Sequence, residues 1–135
     1  MGTWGVGTFE NDTAGDWTYG LEETDDLSLV RETFDRVLAA GNSYLDSDIA
    51  CEGLAACEVI ARLKGNWGVR NPYTATIDKW VESHGSVPYD GLVPLATRVI
   101  DRVLTSPSEL LALWEEGDAA EWKSAVQDLR NRIEA

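Results

Sequence analysis

One histidine, one methionine and two cysteines make this 135-residue chain poor in the side chains that most often act as nucleophiles or hold soft metals. A Cys–His or Ser–His catalytic pair would have to use His84, since there is no second imidazole. His84 precedes Gly85 at an expected helix end, where its ordinary role is to face the C-terminal dipole. Cys51 and Cys57 share one expected helix, and six residues of rise put their Cα atoms about 9 Å apart, too far for a disulfide. Two free and mostly buried thiols are expected, because a redox or metal pair would want closer spacing. No apolar run approaches the roughly 20 residues of a membrane span. The N-terminus shows neither the basic nor the apolar segment of a signal peptide, so a cytoplasmic protein with no membrane partner is expected.

Basic residues are also scarce. Eleven Lys and Arg face 24 Asp and Glu, a net charge of −13, and no basic residue precedes Arg31 although Glu10, Asp12, Asp16, Glu22, Glu23, Asp25 and Asp26 do. Residues 1–68 hold 13 acids and 4 bases, so the front half carries −9. A field of that sign repels phosphate backbones and favours cations or basic protein patches, which makes nucleic acid an unsuitable ligand. It also serves solubility.

What is abundant is helical periodicity. Asn11 is placed to cap a short helix with Trp17 and Leu21 on one face, and Asp25 or Asp26 to cap a second whose stripe is Leu27, Val30, Phe34, Val37 and Leu38, ending at Gly41. A third helix should start near Asp46 or Asp48 and reach about Lys64; between Ala50 and Cys57 only Glu52 is charged and the rest are small or apolar, so this is the expected central helix. Residues 65–75 read as the principal loop, pinned by Trp67 and Tyr73. Thr76 to Ser83 reads as a short helix, and Leu92, Leu95, Val99, Ile100 and Val103 form the next stripe. In Ser106-Pro107-Ser108-Glu109 the pattern predicts Ser106 as N-cap, Pro107 as first helical residue and Glu109 closing a capping box. Asp118 and Glu121 repeat that logic before Trp122, Ala125, Val126, Leu129 and Ile133. Alternation occurs only in Thr3 to Phe9. The expectation is an all-α, compact single-domain bundle of about six or seven helices over residues 1–135, with an extended glycine-rich N-terminal arm in which Trp4 and Phe9 dock on the body.

The opening run Gly2-Thr3-Trp4-Gly5-Val6-Gly7-Thr8-Phe9-Glu10-Asn11-Asp12-Thr13-Ala14-Gly15-Asp16-Trp17, with Ser108-Glu109-Leu110 and Leu113-Trp114 later, resembles the bacterial family known as domain of unknown function 4259. The resemblance runs along essentially the whole chain, agrees with a helical fold and brings no catalytic residues with it.

Two functional expectations follow. The first is a non-catalytic acidic protein-binding module, an immunity-like or antagonist protein that binds a basic protein partner and needs no cofactor. Its contact residues would be Trp4, Glu22, Glu23, Asp25, Asp26 and Trp67, because Trp4, Trp67 and Trp80 are the tryptophans that periodicity places least well and aromatics are favoured interface anchors. The second is a divalent-metal-dependent hydrolase. Asp12 and Asp16 are i,i+4 on one helix, as are Asp48 and Glu52 on another, and if the two faces met, four carboxylates would suit Mg²⁺, Ca²⁺ or Mn²⁺. Acids at helix starts are also ordinary caps and dipole partners. The glycines at 2, 5 and 7 lack the lysine of a phosphate cradle.

Overall fold

A helix that is apolar on all sides has no solvent face and must sit inside the others. The computed structural model, which describes residues 7–135, puts such a helix at the centre. Seven α-helices occur among the described residues, and no strand: α1 (Asp12–Glu22), α2 (Ser28–Leu38), α3 (Ser47–Leu63), α4 (Ala75–Ser83), α5 (Val93–Val103), α6 (Glu109–Glu115) and α7 (Ala120–Glu134). A 3₁₀ turn, Asp90–Leu92, leads into α5. Eleven of the 17 residues of α3 are buried, and α3 packs against α1, α2, α4, α5, α6 and α7. The small residues explain how so many neighbours reach it. A Cβ on Gly53 would lie 2.7 Å from Val37 Cγ2 and 3.1 Å from Val99 Cγ1, so α2 and α5 approach to where only glycine fits.

The apolar stripes turn inward as their spacing requires. Val30, Phe34 and Val37 of α2, Val99, Ile100 and Val103 of α5, and Trp122, Val126, Leu129 and Ile133 of α7 are buried, with Phe34, Val37 and Ile133 fully so. The Trp17 indole donates to Thr33 Oγ1 at 2.9 Å, tying α1 to α2. Phe9 is buried against this core. Trp4 and the rest of the glycine-rich arm through residue 6 lie outside the described residues.

Two caps match the pattern. Asn11 Oδ1 accepts from the Ala14 N–H at 2.8 Å, and Asp46 Oδ1 accepts from the Asp48 N–H at 2.8 Å. Others are corrected. At α2 the cap position is Leu27, and Asp26 works from one residue further out, accepting from the Ser28 N–H and hydroxyl. Asp118 likewise accepts from Ala120, with Ala119 at the cap of α7. The expected Ser106 capping box does not form. Ser108 is the N-cap of α6, its hydroxyl facing the Leu111 N–H. Glu109 reaches across to accept from the Ser47 N–H at 2.9 Å. The cause is tertiary: the backbone of Leu45 pairs with this segment, its N–H donating to Pro107 O and its C=O accepting from the Glu109 N–H. That pairing keeps Pro107 out of the helix, so the helix starts two residues later and Glu109 satisfies the start of α3 instead.

Gly53→Ala should therefore destabilise the protein despite alanine's better helix propensity, which favours it by about 1 kcal/mol. Overpacking a tight core costs typically 1–3 kcal/mol. A denaturant midpoint at or above that of the parent protein would contradict the close approach of α2 and α5.

Candidate functional site

Charged residues are rarely buried unless paired, and α3 carries two that are. Glu58 and Arg62 lie one turn apart in the buried C-terminal half of α3, and both are buried. Their charges are matched inside the protein. The Arg62 guanidinium donates to Glu58, to Asp78 Oδ1 of α4 at 2.9 Å through Nε, and to the Val69 carbonyl at 2.6 Å through Nη2. Glu58 is gripped from its other side by Arg132 of α7, with Nη2 to Oε1 at 2.7 Å and Nη1 to Oε2 at 3.1 Å. The second oxygen of Asp78 accepts from the Thr74 hydroxyl at 2.7 Å and faces Arg70 Nε at 3.4 Å. Arg132 Nε also bonds Asp128 at 2.9 Å. Among the described residues no buried side-chain polar atom lacks a hydrogen-bond partner.

This network is also what holds the principal loop. Val69 gives its carbonyl to Arg62, Asn66 binds the Arg132 carbonyl through its side chain, and Trp67 lies under Arg70, whose guanidinium carbon is 4.3 Å from the ring centroid. Gly68 lets the Arg132 guanidinium rest on the loop backbone, since a Cβ there would come within 2.7 Å of Arg132 Cζ. Burial alone would lower the Arg132 pKa. The hydrogen bonds and charges of Glu58 and Asp128 outweigh it and hold the guanidinium above its ordinary value.

A cavity of about 220 Å³ opens over the network. Phe9, Val69 and Ala125 supply apolar wall, and Glu10, Glu58, Arg62, Asp128 and Arg132 supply charge. Its volume is below the roughly 300–1,000 Å³ of ordinary small-molecule sites.

The four carboxylates proposed for metal are arranged otherwise. Asp12 and Asp16 are exposed on α1. Asp48 accepts from the Thr13 hydroxyl at 3.0 Å, so α1 does meet the start of α3, but through a threonine. Glu52 pairs with Arg36 of α2 at 3.5 Å, while burial, against the Arg36 charge and with Asp48 and Asp46 nearby, raises its carboxyl pKa. Among the described residues no group of three or more His, Cys, Asp or Glu side chains is placed to hold a metal ion.

Glu22, Glu23, Asp25 and Asp26 are all exposed at the turn between α1 and α2. Trp67 is half-buried under Arg70, and Trp80 is buried, its indole donating to Thr24 O at 2.9 Å. His84 stacks on Trp80 at 4.1 Å, with Nδ1 2.7 Å from the Trp80 carbonyl and Nε2 3.3 Å from Asp25. Both cysteines are free, as expected. Burial pushes the Cys51 thiol up to about 12, helped by Asp48, Glu52 and Asp46, and raises buried Cys57 well above its ordinary value.

The family model described as Domain of unknown function (DUF4259) matches residues 2–125. The chain belongs to this DUF4259 family. No curated protein and no solved structure matches it. No helix among the described residues is long and apolar enough to cross a membrane.

Arg62→Met should cost about 3–5 kcal/mol, because it leaves Glu58 and Asp78 buried with a cation removed. Denaturant midpoints of parent and variant check this, and a deficit below about 1 kcal/mol would contradict it. At pH 8 native Cys51 should react with a thiol reagent at least about a hundredfold more slowly than the unfolded chain, since only thiolate attacks; equal rates would place it in solvent.

Proposed function

We propose that this DUF4259 protein is a non-catalytic binding module that engages a basic protein partner through an acidic surface, in the manner of an immunity-like or antagonist protein. The reading rests chiefly on where the acid excess lies. Asp12, Asp16, Glu22, Glu23, Asp25 and Asp26 are exposed on α1 and the turn after it. Among the described residues none of them pairs with Lys or Arg, and Asp25 meets only the imidazole of His84. Most cations are committed elsewhere: Arg36 to Glu52, Arg62 and Arg132 to the buried network, Arg70 to Asp78 and Glu82, Lys123 to Glu115, and Arg130 to Asp101 and Glu134. Arg102 is held by the carbonyls of Gly41, Ser43, Thr105 and Pro107, and Lys64 by that of Ile133. The front of the molecule is left with a one-sign field, the condition for steering a partner of opposite charge.

The thiol and imidazole environments support the non-catalytic side of this reading, since both cysteines are held protonated and His84 is stacked on Trp80. The metal-dependent hydrolase is the weaker reading, because Asp48 and Glu52 already have partners in Thr13 and Arg36. A divalent ion at 100 times its dissociation constant would stabilise by about 2.7 kcal/mol and raise the melting temperature by several degrees. Millimolar Mg²⁺, Ca²⁺ or Mn²⁺ is expected to leave it unchanged, and a shift abolished by Asp16→Asn would restore the hydrolase.

Partner capture from the native host supplies the main test. Association should be fast at low salt and slow as the Debye length shortens to about 8 Å near physiological ionic strength. Reversing Glu22, Glu23, Asp25 and Asp26 to Lys should lower the association rate more than it raises the dissociation rate. A captured partner whose association ignores both salt and these reversals would show that the charge serves solubility alone.

A further inference from the structure

The cavity above the buried ion network is separate from the acidic turn between α1 and α2, and its lining points to a ligand class of its own. Its charged lining is Glu10, Glu58 and Asp128 against Arg62 and Arg132. Both arginines already face two carboxylates each, Arg62 between Glu58 and Asp78, and Arg132 between Glu58 and Asp128. Asp78 behind the wall also faces Arg70, so the lining itself sets three carboxylates against two cations. Two of the lining carboxylates keep an acceptor to spare. Glu10 uses one oxygen to accept from the Gly7 N–H at 3.0 Å, and Asp128 uses one to accept from Arg132 Nε at 2.9 Å. Among the described residues the second oxygen of each has no hydrogen-bond partner. Phe9, Val69 and Ala125 supply the apolar part of the remaining wall, beside Thr8, Asn71, Tyr73 and Thr74.

We propose that this cavity binds one cation-tipped aliphatic chain, a guanidinium or ammonium of the size of an arginine or lysine side chain, with its charged end on Glu10 and Asp128 and its stem against Phe9, Val69 and Ala125. The volume of about 220 Å³ suits a single side chain rather than a cofactor. A carboxylate or phosphate entering the same space would meet three acidic side chains, and the two guanidinium groups that could receive it are already bound to carboxylates. The cation gains charge-assisted hydrogen bonds, which are stronger than neutral ones. The site stands whether or not the acidic turn engages a partner.

The test uses the full-length ¹⁵N-labelled protein titrated with N-acetyl-argininamide, agmatine, N-acetyl-glutaminamide and N-acetyl-glutamate. The two cationic probes should shift the amide signals of Gly7, Glu10, Val69 and Asn71 saturably in the millimolar range, and the neutral and anionic probes should not. Tighter binding of the blocked argininamide would identify a polypeptide side chain as the source, and tighter binding of agmatine a free amine; either supports the site. The combined variant Glu10→Gln, Asp128→Asn should weaken binding at least tenfold. Should that variant fold poorly, Ala125→Leu fills the cavity from α7 and should abolish the shifts. The proposal is overturned if the cationic probes cause no saturable shift, if the neutral or anionic probe shifts the same amides as strongly, or if both variants bind as the parent does.

Discussion

Everything that packs around the C-terminal half of α3 depends on Arg62 being neutralised where it is almost wholly buried. An isolated guanidinium in that position would cost several kcal/mol after relaxation, so its surroundings are constrained to supply carboxylates and a carbonyl at hydrogen-bond distance. Asp78 must come from α4, Glu58 from the preceding turn of α3, and Val69 from the loop between them. Glu58 then requires Arg132, which fixes α7. The consecutive α3, loop and α4 and the distant α7 are registered by one network of ion pairs and hydrogen bonds. Buried pairs of this kind contribute little net stability over a hydrophobic replacement, so the network's effect here is on which arrangement of helices is satisfied.

The helical framework was legible because it follows from spacing. Val30, Phe34 and Val37, or Trp122, Val126, Leu129 and Ile133, are periodic enough that their burial is a matter of geometry. The central position of α3 was legible for the complementary reason, since small residues on every side admit neighbours on every side. The α6 start was misread because Ser106 and Ser108 are both plausible caps two residues apart. The choice is made by Leu45, some 60 positions earlier, whose backbone pairing with Pro107 and Glu109 has no local trace.

The ion network was missed for a different reason. Glu58 and Arg62 at i,i+4 look like an ordinary solvent-exposed pair. The available signal was context: a helix lacking a polar face has nowhere to expose them, so a Glu–Arg pair on it should be buried and in need of further partners. Asp78 and Arg132 carry no such signal, because each sits on a helix with a solvent face of its own. Trp67 and Trp80 were set apart by periodicity alone, and the loop and turn they support explain them without it, through the Arg70 guanidinium in one case and the Thr24 carbonyl in the other.

The acidic turn and the cationic-chain pocket draw on the same imbalance of 24 acids against 11 bases, resolved differently. In the interior each cation is surrounded by more than one carboxylate, which leaves spare acceptors at the cavity mouth; on α1 no cation is present at all. The central claim, that α3 and α7 are coupled through Glu58 and Arg132, is tested most directly by a double-mutant cycle of Glu58→Gln and Arg132→Met on unfolding free energy. Residues coupled in one ion-pair network show interaction energies of about 0.5–3 kcal/mol, and a value in that range is predicted here. Additivity within about 0.3 kcal/mol would mean the two side chains fold independently and would contradict the account.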